Sequence, residues 1–359
     1  MISIQMIASF DQYYIISFKN KPGIFYIYKN LANMKAVLVK EPGDSQVLKI
    51  GEYRTPQPAA NEILVKVHAT ALNRADILQR EGKYPPPKGE SEILGLEMAG
   101  EVVEMGLEVQ KWHPGNRVFG LLSGGGYAEY AIIHEDMALP IPEGMTYEEA
   151  ASIPEAFLTA FQSLQWLGRL KPRETVLIHA GASGVGTAAI QIAKQIGATI
   201  FVTASGHKHE LCYELGTTKA VDYHKEDFEK IFLRETYSQG VNVIVDVIGA
   251  PYLQKHLNLL SMDGRMIMLS MMGGVEIEAL KIGSILRKRL NIMGSTLRNR
   301  SLQYKVELTR DFRLFAWDLL AKKELKAVID KVFDWKEVAQ AHQYMEANKN
   351  AGKIILRVS

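Results

Sequence analysis

One stretch constrains the fold of this chain more than any other. Thr175-Val176-Leu177-Ile178-His179-Ala180 leads directly into Gly181-Ala182-Ser183-Gly184-Val185-Gly186. A short, almost wholly apolar run of that length predicts a strand buried on both faces. The glycines predict a sharp turn, and residues 187–196, closed by Gly197, predict an apolar helix. Strands at 199–204, 220–223, 243–247 and 265–269 and a helix at 208–215 continue the alternation. Alternating strands and helices predict a doubly wound parallel sheet. A turn of this kind aims backbone N–H groups and a helix N-terminus at a phosphate. Ser183, Gly184, Val185 and Gly186 are therefore the candidate pyrophosphate contacts. The next strand falls about 20 residues on, as a dinucleotide fingerprint requires, which weighs against a ligand-free glycine turn.

The end of that next strand bears on which dinucleotide binds. A site for NAD usually carries an acid there to hold the ribose 2′-hydroxyl. This chain reads Thr203-Ala204-Ser205-Gly206-His207-Lys208, with no acid. A 2′-phosphate would meet hydroxyls, an imidazole and an ammonium, so NADP(H) is expected; the plainer alternative is that Lys208 is an exposed first-turn lysine.

Upstream, residues 34–140 read as many short strands separated by glycine and proline turns, which predicts a compact barrel-like domain. The last segment returns to helices and ends in an apolar strand able to rejoin that domain. With 359 residues, two domains are expected. The boundaries read as an extension at 1–33, a first domain at 34–155, the nucleotide domain at 156–299, and a C-terminal return at 300–359. The extension is rich in aromatic and β-branched residues, lacks arginine and fits neither a secretion signal nor a presequence, so it stands apart from the fold argument.

Charge and cysteine usage narrow the function classes. A net charge of +2, from 42 basic and 40 acidic residues, gives no footprint for nucleic acid. No run is long and apolar enough to span a bilayer. The single cysteine, Cys212, excludes an intramolecular disulfide and a four-cysteine zinc lobe, and fits a reducing, cytoplasmic setting. The nine histidines show no ligand spacing, and His207 and His209 are a poor chelating pair, so no metal is expected.

These motifs together resemble the medium-chain dehydrogenase/reductase superfamily, in its zinc-free quinone oxidoreductase branch. Zinc-dependent relatives carry Gly-His-Glu where this chain has Gly95-Leu96-Glu97. The run Ala71-Leu72-Asn73-Arg74-Ala75-Asp76, continuing to Tyr84-Pro85-Pro86-Pro87, is the branch signature. Ile153-Pro154-Glu155-Ala156-Phe157-Leu158-Thr159 and Tyr344-Met345-Glu346-Ala347-Asn348 are similar to the tumour-suppressor-inducible subgroup of animals. The resemblance runs from Met34 to the C-terminus.

It implies a GroES-like catalytic domain, a Rossmann domain, an interdomain active-site cleft, a homodimer, and transfer of reducing equivalents from NADPH to quinones. It also carries site residues over. Lys208 and Tyr223 match contacts to the adenosine phosphate, with Ser205 beside them. Thr159 matches a position near the nicotinamide amide. Gly249, Leu269, Met271 and Met272 would lie along one side of the nicotinamide, and Ser295, Leu297 and Arg298 along the other. Asn350 and Lys353 would reach the cofactor from the returning segment.

Three residues are candidates for the chemistry. Tyr84 offers an O–H donor on an aromatic face, suited to a flat acceptor that develops oxyanion charge. Its alternative is a turn tyrosine packed on three prolines. Asn73 either fixes ribose or substrate, or only caps a local turn. Ser183 could touch cofactor or substrate. Relatives often carry a second tyrosine soon after the asparagine, where this chain has Ile77 and Leu78, which puts a two-tyrosine relay in doubt. Two other functions fit the same motifs: reduction of an activated C=C bond in an enone or enoyl thioester, and NADPH binding with little catalysis.

Overall fold

The computed structural model describes residues 33–359 in full and, before them, the backbone of strands Ile4–Phe10, Tyr13–Phe18 and Lys21–Tyr28, which pair as an antiparallel meander. Most of the extension expected at 1–33 thus lies outside the residues described with side chains. The chain divides into two compact units. One comprises Met1–Pro154, Lys331–Lys349 and Ile354–Ser359, the other Glu155–Asp330 and Asn350–Lys353.

The first unit is built on a largely antiparallel sheet. Its order is Ala138–Pro140, Arg117–Leu121, Glu97–Met105, Glu62–Ala71, Lys353–Arg357 and Ile329–Asp334, with Tyr130–His134 also paired to Glu62–Ala71. Burial on both faces drives this arrangement, because Ile63, Leu64, Val65 and Val67 are all buried and only Lys66 in the strand's middle is exposed. The terminal strand does rejoin this unit, with Ile355 opposite Ala71 and Leu356 opposite Thr70.

The second unit holds a six-stranded parallel sheet in the order Lys219–Asp222, Thr199–Ala204, Thr175–Ile178, Val241–Asp246, Leu260–Met268 and Asn291–Gly294. The sheet order reverses beside Thr175–Ile178, which places the glycine turn where doubly wound sheets bind ligands. Leu177, Ile244, Phe201, Phe232, Leu257 and Met266 pack in its core.

Two expectations shift. The return to the first unit begins at Lys331 rather than at 300. The intervening helix Leu302–Ala321 stays with the second unit because Phe312 packs its ring against Phe157 and Phe161. The helix expected from residue 187 starts at Gly184, since Ser183 caps it and draws the last glycines into its first turn.

Candidate functional site

In the second unit the glycine turn is held from several sides. Ala180 takes a left-handed φ of 52°, and Ser183 Oγ accepts the Gly186 N–H at 3.0 Å. Gly186 cannot carry a side chain, because a Cβ would lie 2.3 Å from the Ala180 carbonyl. Ser183, Gly184 and Val185 remain partly exposed at the helix N-terminus, where unpaired N–H groups and the helix dipole favour an anion. Asn350–Lys353 belongs to the same unit and lies along this turn. The Gly352 N–H bonds to Ala182 O at 2.8 Å, and the Lys353 stem sits where a Gly184 Cβ would go. The Lys208 ammonium donates to Asn350 O at 2.7 Å, and burial lowers its pKa.

Two of the residues expected at the adenosine phosphate lie beside each other. Ser205 Oγ and the Tyr223 hydroxyl lie 3.4 Å apart, with Tyr223 exposed and its ring against His224. Sequence reading missed one acid here. Asp222, on the neighbouring strand, reaches the Gly206 backbone, where a Cβ would meet its Oδ2 at 2.8 Å. Its carboxylate already accepts the His224 N–H, the first cause of its lowered pKa, with Lys225 and the Gly206 N–H adding to the effect.

Thr159, Ser295, Leu297 and Arg298 are all buried in this unit. Thr159 Oγ1 is buried without a hydrogen-bond partner, an orphan polar atom of the kind a ligand amide satisfies. Nearby, Gln162 opens a π-helical turn, Gln162–Leu167, and bridges two elements. Its Oε1 accepts from Ser295 at 3.1 Å, and its Nε2 donates to the Tyr304 hydroxyl at 2.8 Å. The sequence reading gave it no role, since a buried glutamine among apolar residues has no distinctive spacing.

On the far side, Gly249 has φ of 86° and donates its N–H to the Asp246 carboxylate at 3.1 Å. The Leu269 N–H bonds to Asp246 O, and Met271 and Met272 are exposed in the following loop. Ser183, Gly184, Val185, Gly186, Thr159, Ser205, Lys208, Tyr223, Gly249, Leu269, Met271, Met272, Ser295, Leu297, Arg298, Asn350 and Lys353 thus fall in one unit. A capped helix N-terminus, a glycine cradle and an orphan hydroxyl fit a nicotinamide dinucleotide.

Beneath the carboxyl edge of the same sheet, folding joins His179, Asp246 and His256, whose ligand-type atoms lie within 4.8 Å of one another. His179 Nε2 and His256 Nε2 are 2.8 Å apart, and His179 Nδ1 is 2.8 Å from Thr203 Oγ1. A nitrogen–nitrogen distance of that size is a hydrogen bond. Burial lowers both imidazole pKa values, His256 to about 3, and raises that of Asp246 to about 6. The three residues are far apart in sequence, so no spacing rule could have found them.

In the first unit, Asn73 precedes the helix Arg74–Arg80 and donates its backbone N–H to Asp76 Oδ2 at 2.8 Å. Its side-chain Nδ2 donates to Glu97 Oε1, also at 2.8 Å. Asn73 is therefore a helix-start residue whose amide is held by a buried carboxylate. Tyr84 is half-buried after the turn closed by its N–H to Leu78 O. Asp76 and Glu97 are fully buried, and their roles around Asn73 were not anticipated.

The chain matches the alcohol dehydrogenase GroES-like domain family over residues 59–143 and the zinc-binding dehydrogenase family over 184–321. It is 30% identical to a quinone oxidoreductase of Lama guanicoe over 90% of this chain and 97% of that protein. It is also 30% identical to the synaptic vesicle membrane protein VAT-1 homolog of Danio rerio, over 84% of this chain. The chain spans 65% of that relative's length, and 15% of a 30% identical mycocerosic acid synthase-like polyketide synthase of Mycobacterium tuberculosis, which aligns with 89% of this chain. Among solved structures, CurK enoyl reductase superposes with a TM-score of 0.82 at 29% identity, covering 91% of this chain and 99% of that one. The residues around Glu97 do not fit a catalytic zinc. Leu96 offers no ligand atom, Asn73 turns an N–H toward Glu97, and among the described residues the one qualifying trio is His179, Asp246 and His256.

Proposed function

Because the chain belongs to the medium-chain dehydrogenase/reductase superfamily, we propose that it is a zinc-independent, NADPH-dependent quinone oxidoreductase, cytoplasmic and homodimeric. The observation that carries the reading is the Ser183-capped glycine turn with Ser205 and Tyr223 beside each other and Lys208 near the same strand end, the nearby Asp222 carboxylate being held by the His224 N–H. NADPH, when bound, supplies a hydride to an electrophilic acceptor. The helix Gly184–Ile196 holds the pyrophosphate at its N-terminus, with Lys353 and Asn350 closing the turn. Lys208, Ser205 and Tyr223 bind the 2′-phosphate. Thr159 receives the nicotinamide amide, flanked by Gly249, Leu269, Met271 and Met272 and by Ser295, Leu297 and Arg298. The Tyr84 hydroxyl donates toward the acceptor oxygen as negative charge develops, and Asn73, its amide fixed on Glu97, orients ribose or acceptor.

The likeness to CurK enoyl reductase favours a second reading, reduction of an activated C=C bond, in which the same phenol protonates an enolate. Purified protein is given NADPH or NADH with an ortho-quinone or an enoyl thioester, and Tyr84→Phe is run alongside. Quinone turnover with NADPH preferred, reduced about tenfold or more by Tyr84→Phe, supports the first reading. Turnover of the thioester alone moves the assignment to the second. NADPH binding with no turnover of either acceptor makes the protein a cofactor-binding protein instead.

A further inference from the structure

The deepest polar feature of the first unit lies outside the residues assigned above. Arg80, Asp76, Tyr127 and His342 are each no more than 1% exposed. They come from three distant parts of the chain: the helix Arg74–Arg80, the segment before strand Tyr130–His134, and the helix Val338–Glu346. Arg80 donates to Glu346 at 2.6 Å and to Gly43 O at 3.0 Å, and its remaining nitrogen lies 3.3 Å from His342 Nδ1. His342 Nε2 is 3.3 Å from the Tyr127 hydroxyl, which lies 3.4 Å from Asp76 Oδ2. Asp76 accepts the Asn73 N–H on one oxygen and the Gly95 N–H, at 3.0 Å, on the other.

The ends of this chain fix every proton in it. A guanidinium can only donate, so His342 Nδ1 accepts and its proton sits on Nε2. That proton points to the Tyr127 oxygen, which leaves the phenolic hydrogen for Asp76, an obligate acceptor when ionised. Burial and the neighbouring Arg80 take the His342 pKa down to about 3, so the imidazole is neutral as this arrangement requires. Burial, with Asp76 adding to it, raises the Tyr127 pKa well above the ordinary phenol value, so its hydrogen stays in place.

We infer that Arg80, His342 and Tyr127 are positioning residues: they lock Asp76, and through its two N–H bonds set Asn73 and the Gly95-Leu96-Glu97 turn in the geometry that the reaction uses. The inference rests on the proposed function only in what Asn73 is positioned for. Asp76 joins the start of the Asn73 helix to the Gly95 turn, and the amide of Asn73 closes the loop onto Glu97. Thr70 Oγ1 holds the Glu97 carbonyl at 2.6 Å from below. If Asp76 turned, both ends of the Asn73–Glu97 contact would move together.

The test compares Tyr127→Phe, His342→Leu and His342→Gln in the full chain. Gln keeps a donor toward Tyr127, whereas Leu removes it. Steady-state rates are measured with NADPH and an ortho-quinone, and amide hydrogen exchange is followed at Asn73 and Gly95. Tyr127→Phe and His342→Leu are expected to lower kcat about tenfold with the NADPH KM within about twofold, and to speed exchange at both amides. His342→Gln is expected to recover most of each change. The inference is overturned if Tyr127→Phe and His342→Leu only lower thermal stability while kcat and both exchange rates hold. Should His342→Leu fail to fold, Tyr127→Phe decides alone, because it keeps the buried ring. If the unaltered protein reduces no acceptor, the functional reading fails, and exchange at Asn73 and Gly95 still decides the positioning.

Discussion

Each unit buries a histidine network, and the two differ in what sets their protons. In the first, a permanent cation at Arg80 and a carboxylate at Asp76 close a chain through His342 and Tyr127. In the second, Thr203, His179 and His256 run through groups that can all donate or accept. There His256 Nδ1 makes no hydrogen bond and stays 3.9 Å from Asp246 Oδ2. A charged end selects one arrangement of hydrogens, whereas a chain of neutral groups leaves two tautomeric arrangements open. The first design suits a site that must hold one geometry. The second contributes packing beneath a sheet edge and leaves one buried nitrogen, His256 Nδ1, without a hydrogen bond.

The sharpest way to break the contrast is to remove the cation. Arg80→Met leaves His342 Nδ1, Glu346 and the Gly43 carbonyl without their donor, and should cost about 3–5 kcal/mol in equilibrium denaturation. A smaller effect is expected in the second unit. His179→Leu strands Thr203 Oγ1 and His256 Nε2 and should cost about 1–3 kcal/mol. Adding His256→Leu should return part of that loss, because two apolar partners leave fewer stranded atoms; a double variant less stable than the single would contradict the neutral-network account.

The smallest effect is in pH dependence. His342 and His256 bind protons far less readily folded than unfolded, so their contribution is complete above about pH 6.5 and is lost as pH falls toward 3. Asp246 works in the other sense. Burial raises its pKa from 3.8 to about 6, so its contribution is complete below the lower value and is lost as pH rises through about 6. Between pH 7 and 5 the first unit should therefore weaken through His342, while in the second the loss at His179 and His256 is partly offset by Asp246, as read from exchange rates corrected for intrinsic pH dependence. Asp246→Asn should remove that offset and steepen the second unit's loss over the same interval.

Much of the fold was legible because local pattern and tertiary role coincide. The apolar run at 175–178 reads as a buried strand, and every strand of the parallel sheet but Asn291–Gly294 was anticipated within a few residues. That one escaped because its residues are mostly exposed at the sheet edge, so no apolar run marks it. The boundary at 300 was misread for a similar reason. The helix Leu302–Ala321 shows no sign of which unit it joins until Phe312 meets Phe157 and Phe161.

For the site, the division is one of range. Sequence by itself determined the glycine turn that follows a buried strand, because a phosphate cradle is built from contiguous backbone, while the cap at Ser183 came to light only in the structure. Sequence also marked Asn73, leaving open whether the residue caps a turn or serves the chemistry. The structure gives it both a helix start and a buried carboxylate partner. Only tertiary structure decided the partners of Asn73, the meeting of His179, Asp246 and His256, and the chain from Arg80 to Asp76. A buried polar side chain takes whatever donor or acceptor folding brings within 3 Å or so, and that distance has no counterpart in sequence spacing.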